Sequence, residues 1–231
     1  DVTLATLAAR MGNSPVARQT VDAALERARA ANDQLGLAMA LQGKGTVEHI
    51  LGNCEKAEAF YADSATAAES ASAGGLRAMS KIGQLECFMG RSSDIEAIRA
   101  VARQTEAAVA GAGGDNHLKA VLAMNLSRID AMAGDYDHAI QRVADARKVF
   151  IEAKDGRRAA VSAVTEADLR DQRNAPGDTT RGLELVREAL THTETMFGPE
   201  HRLTRENRAF LASRLLTRDP ETSRAMFAEL A

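Results

Sequence analysis

Small and apolar residues recur along the chain in a pattern that repeats about every forty residues. Five glycines set the register, at intervals of 40, 38, 44 and 43 residues: Gly12, Gly52, Gly90, Gly134 and Gly177. Small residues stand five and twelve positions after most of these glycines, and apolar residues stand eight positions before four of the five. A sustained period of this length indicates a repeat protein in which each repeat stacks on the next.

The pattern within one repeat predicts two helices joined by a turn. Each register glycine is predicted to end the first helix, because glycine adopts the left-handed conformation at little cost. Polar residues after the turn can cap the second helix. The candidate caps are Asn13 or Ser14, Asn53, Asp135 and Asp178. Small residues such as Ala57 and Ala139 should let the second helix pack closely on the first. We therefore predict an all-α, right-handed superhelical solenoid of about six antiparallel hairpins, forming a single domain over residues 1–231.

Composition supports helices throughout and narrows the classes of function. Alanine and leucine dominate the apolar residues, aromatic residues make up 3% of the chain, and tryptophan is absent. That bias favours helices over sheets. The net charge of -3 gives no chain-wide footprint for nucleic acid, and no apolar run is long enough to span a membrane. The start of the chain lacks the pattern of a secretory leader, so we expect a cytoplasmic protein.

Two segments, Gly52 to Tyr61 and Gly134 to Ile140, resemble the turn and second helix of the tetratricopeptide repeat family. The segment from Phe197 to His201 is similar to the linker of the long repeats in kinesin light chain and bacterial regulatory proteins. Those repeats normally carry two adjacent asparagines where this chain has Ala209 and Phe210. The resemblance implies a non-catalytic scaffold or sensor module that binds a protein or peptide, within a bacterial regulatory or signalling protein. Because the chain begins at Asp1 without a methionine, we expect a fragment of a longer protein.

The resemblance also implies where a partner binds, because the concave groove of such proteins is lined by the first helix of each hairpin. The repeat register places eight polar residues on that groove: Gln42, Thr46, His49, Arg77, Lys81, Gln84, Asn125 and Arg128. Their basic members can hold an acidic segment or a terminal carboxylate through charge-assisted hydrogen bonds. Three of them, Arg77, Lys81 and Arg128, should supply the charge.

No residue pattern indicates a catalytic, cofactor or metal site. The five histidines lack the four-residue spacing of a helical zinc pair, and the two cysteines, Cys54 and Cys87, fit neither a disulfide framework nor a zinc motif. The glycine runs at 43–46 and 111–115 lack the spacing of a phosphate loop.

Two alternatives to a binding scaffold stay open at this point. Asp168 and Asp171 lie three residues apart, so they share one helix face and could serve a hydrolase as general acid and base, although interleaved arginines favour an ion-paired face. The chain could also be the ligand-sensing arm of a transcription regulator whose DNA-binding domain lies outside it.

Overall fold

The computed structural model describes residues 1–230, which form twelve α-helices and contain no strand. The helices are α1 (Val2–Arg10), α2 (Ser14–Ala30), α3 (Gln34–Ile50), α4 (Cys54–Ser70), α5 (Gly74–Arg91), α6 (Ile95–Gly111), α7 (Asn116–Met132), α8 (Tyr136–Glu152), α9 (Gly156–Arg173), α10 (Asp178–Phe197), α11 (Arg202–Leu215) and α12 (Pro220–Ala228). Short turns join successive helices, so the chain forms six hairpins. The predicted all-α fold of about six antiparallel hairpins is confirmed.

Contacts between residues divide the chain into two compact units. The first unit is Asp1–Asn125, and the second begins at Leu126, inside α7. In the first unit, small residues from neighbouring helices form the buried clusters, as with Ala38 and Ala40 of α3 against Ala67 and Ala68 of α4. In the second unit, alanines of α9 meet leucines and a valine of α10 and leucines of α11. The single domain and the handedness of the superhelix stay predictions.

Six of the turns share one backbone design. In each, a residue with positive φ donates its N–H to the carbonyl three residues back, and the next residue donates to the carbonyl five residues back. This is the Schellman arrangement, which satisfies carbonyls that the end of a helix leaves free. The residues with positive φ are Gly12, Asn32, Gly52, Ser72, Gly134 and Lys154. Three of the five register glycines therefore end a helix in the predicted left-handed conformation.

The turn of the third hairpin lies later than predicted. Gly90 is inside α5 and has no positive φ; the turn is formed by Ser92, Ser93 and Asp94, and the Asp94 carboxylate caps α6. The prediction of a turn at Gly90 is therefore wrong. A helical backbone also accommodates glycine, at a modest cost in stability, so glycine alone does not mark a helix end.

The later turn leaves the first helix of this hairpin in register and shifts the second. Gly45 of α3 and Gly83 of α5 both face Tyr61, 38 residues apart as the glycine register requires. In α6, Ile98 is the fourth helical residue, as Ala57 is in α4, and both are fully buried. Ala57 and Ile98 are 41 residues apart, whereas Gly45 and Gly83 are 38 residues apart. The third hairpin therefore contains three more residues than the second, which is close to one helical turn.

The predicted caps divide into two that are correct and two that are not. Asn13 and Asp135 accept hydrogen bonds from the backbone N–H groups of Val16 and His138. Asn53 precedes α4, but its side-chain amide donates to the Glu48 carboxylate instead of accepting from the helix. Asp178 is already the first helical residue of α10, and Gly177 occupies the cap position.

Ala57 should be intolerant of a larger side chain. It is fully buried and packs against Tyr61 and Cys87. We expect Ala57→Leu to lower the free energy of unfolding by about 1–3 kcal/mol, because extra methylene groups in a packed core force neighbouring side chains out of position. Ala59→Leu, at an exposed position of the same helix, should change it by less than about 0.5 kcal/mol. Urea unfolding of both variants tests this prediction, and equal stability would contradict it.

Candidate functional site

The predicted groove residues of the first unit form one polar face on α3 and α5. Spacings of four and three residues put Gln42, Thr46 and His49 on one side of α3. The same spacings put Arg77, Lys81 and Gln84 on one side of α5. All six side chains are half-buried. His49 Nδ1 lies 3.8 Å from Oε2 of Glu86, which joins the two helices along this side. We call these six residues the first-helix face.

The cations of this unit differ in how they are paired. Lys44 and Arg91 each meet a carboxylate at hydrogen-bond distance. Arg77 Nε lies 3.9 Å from Oε2 of Glu69, a longer contact between two side chains that are 40% and 67% exposed. Lys81 makes no ion pair within residues 1–230. The first-helix face therefore carries one uncompensated positive charge and a second that is weakly held.

The two predicted groove residues on α7 are placed differently. Asn125 is 4% exposed, and its amide donates to Oε1 of Glu86 at 3.1 Å and to the Val121 carbonyl at 3.2 Å. Its hydrogen-bonding groups are therefore turned inward, toward Glu86. Arg128 is exposed, and the described part of the chain offers it no ion-pair partner. Arg128 lies in the second unit, so it is not part of the first-helix face.

The Tyr61 side chain is hydrogen-bonded to Thr46 and packs against two glycines of neighbouring helices. Its ring lies between Gly45 and Gly83, where an added methyl group would come within 2.7 Å and 2.6 Å of ring carbons. The hydroxyl donates to Thr46 Oγ1 at 3.3 Å. Burial raises the pKa of Tyr61 above its usual value, so the phenol stays a neutral donor. One aromatic ring therefore explains Gly45 and Gly83, which stand seven positions before Gly52 and Gly90.

Sequence reasoning missed a cluster of potential ligands beside this face. One ring nitrogen of His49 and the sulfurs of Cys54 and Cys87 all lie within 4.8 Å of one another. His49 comes from the end of α3, Cys54 begins α4 and Cys87 lies on α5. The repeat register contains a signal that could have found the cluster. His49 and Cys87 stand three positions before Gly52 and Gly90, and therefore occupy equivalent places on adjacent first helices.

The candidate acid pair of the hydrolase alternative is held by an arginine. Nη2 of Arg214 lies 2.6 Å from Asp168 Oδ1 and 2.9 Å from Asp171 Oδ2. One guanidinium nitrogen therefore bridges the two carboxylates. The ion-paired interpretation of these residues therefore fits the geometry.

A cavity in the second unit is too small for a typical substrate. It is lined by polar groups of Arg147, Glu188 and His192 and by neighbouring alanines, and has a volume of about 110 Å³. Sites for small organic ligands commonly measure roughly 300–1,000 Å³.

Within residues 1–230, no helix combines the length and apolar character needed to cross a bilayer.

Comparison with known proteins agrees with the resemblance in the sequence. Residues 1–70 match the family model described as tetratricopeptide repeat. Among solved structures, the fold is similar to BtubC (BKLC) from P. vanneervenii, with a TM-score of 0.70 and 15% sequence identity, covering 92% of this chain and 87% of that one. A search of curated proteins found no matching relative. Residues 1–70 therefore carry a tetratricopeptide repeat sequence, within an all-helical chain whose fold is of the tetratricopeptide type.

Proposed function

We propose that this chain is a non-catalytic scaffold that binds a protein segment along the first-helix face. The observation that carries the proposal is Lys81, a cation without an ion-pair partner in the part of the chain that the structure describes. Two other cations on α3 and α5, Lys44 and Arg91, are each paired with a carboxylate. An uncompensated charge on a half-buried face is suited to a partner of opposite charge.

The chemistry of the face favours an acidic segment or a terminal carboxylate. Lys81 supplies a positive charge, and Arg77 can exchange its exposed contact with Glu69 for a partner carboxylate at little cost. Gln42, Thr46 and Gln84 add groups that can hydrogen-bond a peptide backbone. The same side of α3 continues into Leu35 and Met39, which are 48% and 51% exposed and offer apolar contact.

The family likeness supports the same class of function. Tetratricopeptide repeats generally mediate protein–protein interaction, and their fold is generally a non-catalytic scaffold. We further propose a cytoplasmic bacterial protein with a regulatory or signalling role, as the similarity to long-repeat proteins implies. Arg128 is proposed as an additional contact, tested by its own charge reversal.

Charge reversal of Lys81 should weaken binding of an acidic peptide. The probe is a pool of short fluorescent peptides rich in aspartate and glutamate, prepared with free and with amidated C-termini. We expect Lys81→Glu to reduce affinity about tenfold at low salt, which corresponds to about 1.4 kcal/mol. The difference should shrink as salt is added, because exposed charges are screened over about 10 Å at 0.1 M ionic strength. Fluorescence anisotropy measures both effects.

The matched control reverses an exposed lysine away from the face. Lys56 lies on α4, the second helix of its hairpin, so Lys56→Glu makes the same change in net charge elsewhere. Wild-type affinity in this control, with weakening in Lys81→Glu, supports the proposal. Equal affinity of wild type and Lys81→Glu would contradict it, and preference for the free C-terminus would identify the carboxylate as the recognised group.

A further inference from the structure

Three consecutive helices bring an imidazole and two thiols to one point. His49 lies in the last turn of α3, Cys54 is the first residue of α4, and Cys87 lies on α5. Their potential ligand atoms all fall within 4.8 Å of one another. Cys87 is fully buried, whereas His49 and Cys54 are partly exposed. The cluster is therefore closed on the core side and accessible from solvent on the other.

One nitrogen and two sulfurs form a donor set that suits a thiophilic transition metal. Zn²⁺ binds cysteine sulfur at about 2.3 Å and histidine nitrogen at about 2.0–2.1 Å in a tetrahedral arrangement. Such bond lengths place the nitrogen and the two sulfurs about 3.5–3.8 Å apart. The present spacing of up to 4.8 Å exceeds that separation by about 1 Å, which side-chain rotation would have to supply when the ion binds.

The surroundings of His49 add a second observation that points to a metal. Glu86 Oε2 lies 3.8 Å from His49 Nδ1, and Asn125 holds the other Glu86 oxygen at 3.1 Å. An imidazole has two nitrogens, so one can bind a metal while the other faces a carboxylate. A carboxylate that accepts a hydrogen bond from the second nitrogen commonly orients metal-binding histidines, and Glu86 lies about 1 Å beyond that distance from His49.

We propose that His49, Cys54 and Cys87 bind one transition-metal ion of the Zn²⁺ class, with Glu86 as a positioning residue for His49. Binding exchanges the two thiol protons, which pass to solvent, for two metal–sulfur bonds, and no electron is transferred. The fourth coordination position opens toward solvent. The ion would join α3, α4 and α5 and so fix the hairpins that carry the first-helix face. The proposal does not depend on peptide binding.

The test uses the full 231-residue chain, reduced and freed of metal, titrated with Co²⁺ and then with Zn²⁺. We expect one Co²⁺ per chain, with thiolate-to-cobalt charge-transfer absorption and the visible bands of a tetrahedral ion, both removed by Zn²⁺. Zn²⁺ should also raise the thermal midpoint of the wild-type chain. Cys54→Ser and His49→Gln should abolish the spectrum and the thermal shift.

Two further variants separate a metal site from a general effect on folding. Glu86→Gln should weaken Zn²⁺ binding about 10- to 100-fold, the usual effect of removing an orienting carboxylate. His138→Gln, at an exposed histidine bound to Asp135, should leave binding unchanged. Far-UV circular dichroism of each metal-free variant confirms that it is folded.

Several outcomes would overturn the proposal. They are the absence of tetrahedral cobalt bands in the reduced chain, and uptake of Co²⁺ that His49→Gln leaves unaltered. A chain isolated with Cys54 and Cys87 joined as a disulfide, and taking up no Co²⁺ after reduction, would likewise exclude the metal site. None of these results decides the peptide-binding proposal, which the Lys81 assay tests separately.

Discussion

A chain carrying both Gly45→Ala and Gly83→Ala is expected to lose about 4 kcal/mol of unfolding free energy. The added methyl groups would both meet the Tyr61 ring, at 2.7 Å and 2.6 Å from ring carbons. Overpacking of this kind costs about 1–3 kcal/mol per site, and the two costs can couple because both methyl groups crowd the same ring. Each alanine recovers up to about 1 kcal/mol of helix propensity, which offsets part of the loss.

The control for this prediction lies on the same helix as Gly83. Gly90 is helical, and a methyl group there would meet nothing closer than Cys54 Sγ at 3.9 Å. Gly90→Ala should therefore be neutral or stabilise the chain by up to about 1 kcal/mol. In a Tyr61→Leu background, Gly83→Ala should cost much less than in the wild type. A cost that persists in that background would show that Tyr61 is not the cause.

The second large effect is expected at Asp178 in the second unit. This carboxylate is 2% exposed and accepts hydrogen bonds from Arg170, from Arg173 and from the Ala175 N–H. We expect Asp178→Asn to lower the free energy of unfolding by about 3 kcal/mol, since removing one partner of a buried ion pair leaves the other uncompensated. Partial exposure of both arginines keeps the effect at the low end of the usual range.

The effect of Asp178 should depend on pH. The Arg173 guanidinium, with smaller contributions from the Ala175 N–H and Arg170, lowers the pKa of Asp178 from 3.8 to about 2. A depressed pKa stabilises the folded state above the unfolded-state pKa, and that contribution is lost as the pH falls toward 2. The difference in unfolding free energy between wild type and Asp178→Asn, measured by urea unfolding, should therefore shrink as the pH falls from about 4 to about 2.

Asp137 provides the matched control, because it also binds Arg173 but its side chain is 81% exposed. Asp137→Asn should change stability by less than about 1 kcal/mol, as exposed ion pairs usually do. If the difference in unfolding free energy between wild type and Asp178→Asn does not change with pH, the carboxylate charge does not stabilise this unit.

The fold could be predicted from sequence to the extent that local conformation determined it. The left-handed turns at Gly12, Gly52 and Gly134 depend on the backbone freedom of one residue, and these were found. Gly90 satisfies the same pattern but remains helical, because its hairpin has three additional residues. Those residues are recognised only from the buried position of Ile98, which the sequence does not give. The predicted capping role of Asn53 is wrong for a similar reason, because its side-chain amide donates to the Glu48 carboxylate.

The candidate site could be predicted less well, because it depends on contacts between helices. Spacing along α3 and α5 was sufficient to put the first-helix face on one side of each helix. Burial of Asn125 could not be read from spacing, since it follows from the position of Glu86 on another helix. The approach of His49, Cys54 and Cys87 likewise depends on three helices, and the residues match no known linear metal-binding motif.

The shared turn design has a consequence for how such a chain can change in length. In the first unit, residues with positive φ at positions 12, 32, 52 and 72 are spaced by twenty, and the same backbone turn joins helices within a hairpin and between hairpins. Duplication or deletion of a forty-residue segment therefore rejoins the backbone through a turn that already exists, wherever the segment begins. Gene rearrangement can lengthen or shorten an arm of this kind without evolving a new loop.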